Sequence, residues 1–251
     1  MPNKPPPASF AGRNSWVIRS LGALLLLCVI GAMWLAPIHA SEPAIVIPAP
    51  VIDVPKDQAR AGLQSAVLAG GCFWGVQTVF QHVKGVTQAV SGYAGGAKET
   101  ASYRMVSSGE TGHAESVQVT FDPRQISYGR ILQIYFSVAH DPTQLDRQGP
   151  DFGPQYRSAI FYQDESQRNV AEAYIAQLDK AGVFRRPIVT EVNALTGFYP
   201  AEDYHQDYAT LHPNSPYVAF NDIPKVENLQ RVFADLYREE PVLVSAAGQS
   251  N

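Results

Sequence analysis

The stretch Ala66-Val-Leu-Ala-Gly-Gly-Cys-Phe-Trp-Gly-Val-Gln-Thr-Val-Phe-Gln-His-Val-Lys-Gly85 decides the fold of this chain. Its first four residues predict a short apolar strand, which Gly70-Gly71 closes. Apolar residues then recur at i, i+3, i+4 and i+7 from Val76, which is the spacing of one helix face, and Gly85 ends that helix. A strand that turns directly into a helix places Cys72 at the chain reversal between them.

Strands and helices continue to mix on both sides of this unit. Alternation or short apolar runs predict strands at 86–93, 116–121, 156–162 and 187–192. Capping residues and apolar stripes predict helices that begin at Ser127 and Asp164, and a last helix over 226–238. Because the elements do not alternate strictly, the pattern favours the α+β class.

The domain boundaries follow from changes in composition. Residues 41–63 are rich in proline and read as an extended linker or arm, and the last residues, 241–251, read as a flexible tail. The domain itself is expected over 64–240. Within it, residues 197–224 combine four prolines with six aromatic residues and predict a long coil on the C-terminal side.

The first forty residues have the composition of an export signal. Three basic residues and no acid precede the apolar run Leu21–Ala36, and small Ala40 stands before Ser41. Cleavage after Ala40 is one outcome. Because the run is long for a signal and Ile38 is large for a cleavage site, a retained membrane anchor through 21–36 is the other. Either outcome predicts an exported protein, periplasmic or secreted.

Composition excludes several classes of protein. With 45% hydrophobic and 17% charged residues, the 251-residue chain is too apolar to be disordered. A net charge of −4 without any basic run argues against a nucleic-acid partner. Two cysteines are too few for a disulfide framework or a Cys-rich metal site. Since Cys28 lies in the export segment, Cys72 is the working thiol.

The position of Cys72 predicts a reactive thiolate. Free backbone N–H groups and the helix dipole at a helix N-terminus favour a negative charge, which predicts a lowered pKa and a nucleophile. Phe73 and Trp74 follow and predict the wall of an apolar pocket. The alternative is a buried, inert cysteine of the kind found in many cores.

Glu115 is the second candidate. In a strand of period two it shares a face with Val117, Val119 and Phe121, so its carboxyl group is expected to be buried and its pKa raised. Such an acid can donate a proton near neutral pH. The alternatives are a strand-end glutamate that turns to solvent and, for neighbouring His113, either a base for Cys72 or a simply hydrogen-bonded ring.

A metal site is the third possibility that the polar residues raise. Glu202, Asp203 and His205 lie close together in sequence, but no His-x-x-x-His or comparable spacing of ligands accompanies them. We therefore expect no metal and no bound cofactor.

Six motifs follow one another along the chain. They are Gly71-Cys-Phe-Trp-Gly75, Ser91-Gly-Tyr-Ala-Gly-Gly96, Gly112-His-Ala-Glu115, His140-Asp-Pro142, Gln155-Tyr-Arg-Ser158 and Ala201-Glu-Asp-Tyr-His-Gln206. Together they resemble the A type of the peptide methionine sulfoxide reductase family, over about residues 64–235. The resemblance implies a two-layer sandwich with a ferredoxin-like core, a mixed sheet and long C-terminal coil. It also implies reduction of methionine S-sulfoxide, free or in proteins.

The resemblance also implies roles for individual residues. Cys72 would attack the sulfoxide sulfur and become a sulfenic acid, and Glu115 would protonate the sulfoxide oxygen. The other implied site residues are Tyr103 and Tyr156, which would hydrogen-bond the oxygen, and Asp151, which would bind through the active-site water. Phe73 and Trp74 would hold the substrate methyl group, and Gly112, His113 and His205 would take part in substrate binding.

One departure from the family pattern concerns the regeneration of Cys72. Many relatives carry resolving cysteines near the C-terminus, whereas residues 207–251 contain none. An external thiol, either a small molecule or a thioredoxin-like protein, would then have to reduce the sulfenic acid. Two other functions stay open on the residues alone: a thiol hydrolase that pairs Cys72 with His113 or His205, and a non-catalytic module that binds oxidised methionine.

Overall fold

The computed structural model describes residues 44–54 and 62–244. The predicted leader, with Cys28 and the candidate anchor 21–36, lies outside these residues, as does most of the predicted tail. Within the described ranges, no helix is both long enough and apolar enough to cross a membrane.

Eight strands and seven α-helices are the main elements of the described part. The strands are β1 (Gln64–Gly70), β2 (Val86–Ala94), β3 (Ala114–Phe121), β4 (Arg147–Gln148), β5 (Asp151–Phe152), β6 (Ser158–Tyr162), β7 (Glu191–Ala194) and β8 (Phe198–Pro200). The helices are α1 (Phe73–Gln81), α2 (Tyr103–Val106), α3 (Tyr128–Ile134), α4 (Glu165–Ala181), α5 (Tyr208–Leu211), α6 (Pro216–Asn221) and α7 (Ile223–Val232).

Six strands form one mixed sheet in the order β7-β6-β1-β3-β2-β8. Strand β3 lies between β1 and β2 and is antiparallel to both, while β6 is antiparallel to β1 and parallel to β7. The four strands β6-β1-β3-β2 thus have the ferredoxin-like order, a split β-α-β arrangement. The predicted α+β class and mixed sheet are confirmed.

The strands of the sheet divide their side chains between two cores. Ala66 and Leu68 of β1 join a large cluster with the apolar faces of α1, α3 and α4. Val67 and Ala69 point to the other face, where a smaller cluster includes Phe161.

Helix ends follow the predicted chemistry. Ser127 accepts a hydrogen bond from the Arg130 N–H at the start of α3, and Asp164 accepts one from the Gln167 N–H at the start of α4. Gly182 ends α4 in the left-handed conformation, with a φ of 61°.

The C-terminal segment contains more structure than its proline content predicts. Strand β8 and helices α5 and α6 lie within the predicted coil, and the last helix starts at Ile223 rather than at position 226. Side-chain bonds to α1 hold these short elements: Gln81 Nε2 donates to Asp207 Oδ1 at 2.6 Å, and the hydroxyls of Thr78 and Thr210 are 3.0 Å apart. The predicted strand at 187–192 begins instead at Glu191.

The described part of the proline-rich arm, 44–54, lies against the domain. Ile47 is buried in the large core cluster, and Gln133 Nε2 donates to its carbonyl oxygen at 2.9 Å. Tyr174 Oη donates to the Pro48 carbonyl at 2.6 Å. These contacts fix the arm against α3 and α4.

Candidate active site

The turn between β1 and α1 presents the thiol. Gly71 has a φ of +88°, and a Cβ atom there would lie 2.5 Å from Gln148 Cβ, so the turn requires glycine. Cys72 follows as the N-cap residue of α1 and is partly exposed. It is the free cysteine of the described residues.

The pKa of Cys72 contradicts the prediction from its helix position. Burial of the thiol, and next the charge of Glu115 and that of Asp222, raise its pKa well above 9.0. A hydrogen bond from the Trp74 backbone N–H acts in the opposite direction but is outweighed. The helix N-terminus does supply a donor, yet desolvation, together with the charges of Asp222 and Asp151, keeps the resting sulfur protonated.

Glu115 confirms its predicted burial, with 3% of the residue exposed. Its Oε2 accepts a hydrogen bond from the Phe73 backbone N–H at 3.0 Å. Burial raises its pKa from 4.5 to about 8, because desolvation outweighs that hydrogen bond. At neutral pH the carboxyl group of Glu115 is therefore protonated, and it is hydrogen-bonded to Phe73, the residue that follows Cys72.

Asp151 reaches the site from β5. Burial raises the pKa of Asp151, while a hydrogen bond from Tyr217 Oη to its Oδ2 lowers it. The negative charge of Asp151 in turn raises the pKa of Cys72. The sequence does not predict Tyr217 as a site residue, because it lies 66 positions from Asp151, in α6. The Pro216-Tyr217 pair in an aromatic-rich segment was its only signal.

The two predicted tyrosines lie near enough to Cys72 to interact with its charge. Tyr103 opens α2, and Tyr156 ends the short 3₁₀ turn Pro154–Tyr156. Burial raises the pKa of each phenol, and the charge of Cys72 adds to the rise in both. Both hydroxyls consequently stay protonated and can donate hydrogen bonds at neutral pH.

The two aromatic residues that follow Cys72 differ in their exposure. Phe73 is almost fully buried and packs on the ring of His205 at 5.1 Å between centroids. Trp74 is partly exposed, stacks on Tyr208 at 4.0 Å and meets Tyr217 edge-on at 6.0 Å. Trp74 is thus the member of the pair that offers an apolar face at the surface.

His205 lies inside the aromatic cluster. Its ring is 4.6 Å from that of Tyr103 and 4.2 Å from that of Tyr204. Burial lowers its pKa, and neither ring nitrogen bonds to a described residue. A neutral ring surrounded by aromatic side chains adds to the wall of the site and has no base–thiol contact with Cys72.

His113 holds the glycine-rich loop. Its Nδ1 accepts from the Gly96 N–H at 3.2 Å, and its Nε2 lies 3.0 Å from the Ala97 carbonyl oxygen. With both ring nitrogens occupied, the hypothesis that His113 is a base for Cys72 is wrong. Gly112, at φ +78°, accepts from Arg157 in the same region.

Glu202 has a structural role that its motif did not reveal. One carboxylate oxygen accepts from the Tyr103 backbone N–H and the other from Tyr93 Oη, each at 2.9 Å. Glu202 thereby fixes the start of α2. Among the described residues, no group of three histidine, cysteine, aspartate or glutamate side chains is arranged to hold a metal ion.

The family model of peptide methionine sulfoxide reductase matches residues 64–236, which is most of the chain. The chain belongs to this family, and to its A type. The reductase is therefore an oxidoreductase that acts on methionine sulfoxide.

Relatives and solved structures agree with this assignment. The reductase is 58% identical to peptide methionine sulfoxide reductase MsrA 2 of Mesorhizobium japonicum, over 76% of this chain and 98% of that protein. It is 47% identical to MsrA 2 of Synechocystis, over 84% and 96%. Methionine sulfoxide reductase A of Corynebacterium diphtheriae superposes with a TM-score of 0.53 at 34% identity, over 69% of this chain and 86% of that one. Reduced Mxr1 of Saccharomyces cerevisiae gives 0.55 at 31%, over 62% and 89%.

Proposed function

We propose that this reductase acts on methionine S-sulfoxide, free or within polypeptides, with Cys72 as its single catalytic thiol. The observation that carries the proposal is the hydrogen bond from the Phe73 N–H to Glu115, which holds a protonated acid beside the thiol. A soft sulfur nucleophile and a neutral acid are the two groups that removal of a sulfoxide oxygen requires.

The chemistry balances within these two groups. The sulfur of Cys72 attacks the sulfoxide sulfur while Glu115 donates its proton to the sulfoxide oxygen, and the thiol proton returns to Glu115. The oxygen passes to Cys72, its bond to the methionine sulfur breaks, and two electrons pass from the cysteine sulfur to the methionine sulfur. The products are methionine and the sulfenic acid of Cys72.

The other site residues have roles that follow from their positions. The phenols of Tyr103 and Tyr156 are protonated and bind the sulfoxide oxygen, and Asp151 orders the polar side of the site. The exposed face of Trp74, with Phe73 and His205 behind it, receives the methyl group of the substrate. Gly112 and His113 shape the loop that faces the substrate chain.

An external thiol closes the cycle in this proposal. The sulfenic acid condenses with one thiol to give a mixed disulfide and water, and a second thiol releases Cys72 and a disulfide. The absence of cysteine from residues 207–251 supports this one-cysteine cycle. A thioredoxin-like protein or a small thiol is the reductant.

The cellular location of the reductase is inferred from residues 1–40. We infer that residues 1–40 direct export and that the reductase repairs oxidised proteins outside the cytosol, either after cleavage at Ala40 or tethered through 21–36. Intact-mass measurement of the protein from its native host distinguishes the two forms. A full-length protein recovered from the cytosol would refute export.

The activity is tested with racemic methionine sulfoxide and an added thiol. We expect one epimer to disappear and the other to persist, and Cys72→Ser to abolish turnover. After substrate without reductant, the peptide that contains Cys72 should be heavier by one oxygen atom. Consumption of both epimers, or turnover by Cys72→Ser, would contradict the proposal.

A further inference from the structure

A buried charge pair lies directly behind the catalytic turn. Asp222 is completely buried, and its Oδ1 lies 3.5 Å from Lys225 Nζ, whose side chain is 12% exposed. A Cβ atom on Gly75 would lie 2.3 Å from Asp222 Oδ1 and 2.6 Å from Lys225 Nζ. The pair therefore touches the backbone of the first turn of α1, which begins after Cys72.

Packing and helix capping do not explain this aspartate. Asp222 occupies the N-cap position of α7, yet its side chain accepts no capping hydrogen bond. Its Oδ2 is buried and bonds to no described residue. A buried carboxylate that is only partly compensated is costly, so its presence beside the site calls for another reason.

Cys72 is surrounded by groups that respond to charge. The carboxylate of Asp222 opposes ionisation of the thiol, while the ammonium of Lys225 lowers the pKa of both Asp222 and Asp151. Lys225 also lowers the pKa of buried His140. The titratable groups that face Cys72 from the surrounding elements are Glu115, Asp151, Asp222, Tyr103, Tyr156 and Tyr217.

We propose that Asp222 and Lys225 are positioning residues whose opposite charges, placed against the first turn of α1, set how readily Cys72 ionises. Asp222 holds the resting sulfur as a thiol, and Lys225 limits this effect because its positive charge offsets the negative charge of Asp222. The inference rests on Cys72 being the nucleophile of the proposed function. Its readout is thiol ionisation, which is measured without any sulfoxide.

The test is the rate at which iodoacetamide alkylates Cys72 in the full-length protein at pH 9, followed by mass spectrometry of the peptide that contains it. Burial raises the pKa of Asp222 to about 6, so its carboxylate is ionised at this pH. Asp222→Asn should speed alkylation by about tenfold, and Lys225→Met should slow it several-fold, because like charges raise a thiol pKa and opposite charges lower it. Lys225→Arg should behave as the parent.

Two controls separate charge from structural damage. Asp235→Asn removes an exposed carboxylate that lies 3.7 Å from Arg130, and it should leave the alkylation rate unchanged. Loss of structure would speed alkylation in both Asp222→Asn and Lys225→Met. Faster alkylation in Lys225→Met, or an unchanged or slower rate in Asp222→Asn, would therefore overturn the proposal. Should Asp222→Asn fail to fold, the opposite sign expected for Lys225→Met still decides it.

Discussion

Replacement of Glu115 by glutamine removes a titration from the folded protein while it keeps the shape of the side chain. The folded protein raises the pKa of this carboxyl group from 4.5 to about 8, so the folded state binds the proton more tightly than the unfolded chain does. The stability that this provides is fully present below the unfolded pKa and is lost as the pH rises through the folded one.

The magnitude follows from the two pKa values. Between the two values, each pH unit corresponds to about 1.36 kcal/mol. Because Glu115 ionises at lower pH in the unfolded chain than in the folded protein, the free energy of unfolding is lower than at acidic pH by about 1 kcal/mol at pH 5, about 3 at pH 7 and about 5 at pH 9. Glutamine has no such cost and still accepts from the Phe73 N–H through its amide oxygen. The stability of Glu115→Gln relative to the parent should thus grow by about 4 kcal/mol between pH 5 and pH 9.

Urea unfolding of both proteins at pH 5, 7 and 9 measures this difference, and the other titrating groups cancel in the comparison. The same substitution should lower kcat by a factor of roughly 10²–10⁴, the usual effect of a positioned acid. In the parent, activity should decline as the pH rises through about 8, whereas Glu115→Gln should lack that decline. A stability difference that stays constant with pH would show that Glu115 is ionised near neutrality and would refute its role as the proton donor.

Two other substitutions test the surroundings of the thiol. Tyr217→Phe removes the donor to Asp151, so the pKa of Asp151 should rise. The value of kcat/KM should fall by about tenfold, the usual effect of losing a hydrogen bond to a charged group. A pH profile of kcat/KM measures both changes. Gly71→Ala should destabilise the fold by about 1–3 kcal/mol or more in urea unfolding, because a positive φ and a 2.5 Å approach to Gln148 Cβ act together. Gly182→Ala, at φ 61° with nothing within 4 Å, measures the conformational part alone, and an equal loss at both glycines would contradict the role of the close approach.

Local signals in the sequence were sufficient to predict the strand, the turn and the helix around Cys72. The apolar run before Gly70-Gly71 and the helical spacing after Cys72 predict a strand, a turn and a helix, and the structure has all three. Period-two alternation placed Glu115 on the buried face of β3, and burial alone predicts a raised pKa. These predictions succeed because they depend only on residues that are close neighbours in the sequence.

The ionisation state of Cys72 could not be predicted in the same way. Its helix position favours the thiolate, but the groups that decide its pKa come from β3, β5 and the start of α7. Asp222 lies 150 positions away in a segment that reads as coil. Electrostatic interactions depend on distance and on exclusion of water, and neither can be read from neighbours in sequence.

The amino-acid sequence by itself determined that Cys72 follows the Gly-Gly turn and that residues 73–251 contain no second cysteine. Only the tertiary structure decided that this thiol rests protonated, with Tyr217 holding Asp151 and with Lys225 beside Asp222 behind α1. The spacing of apolar residues and the count of cysteines are properties of the chain itself. The charge on the sulfur depends on packing, because folding removes water and brings distant carboxylates close to it.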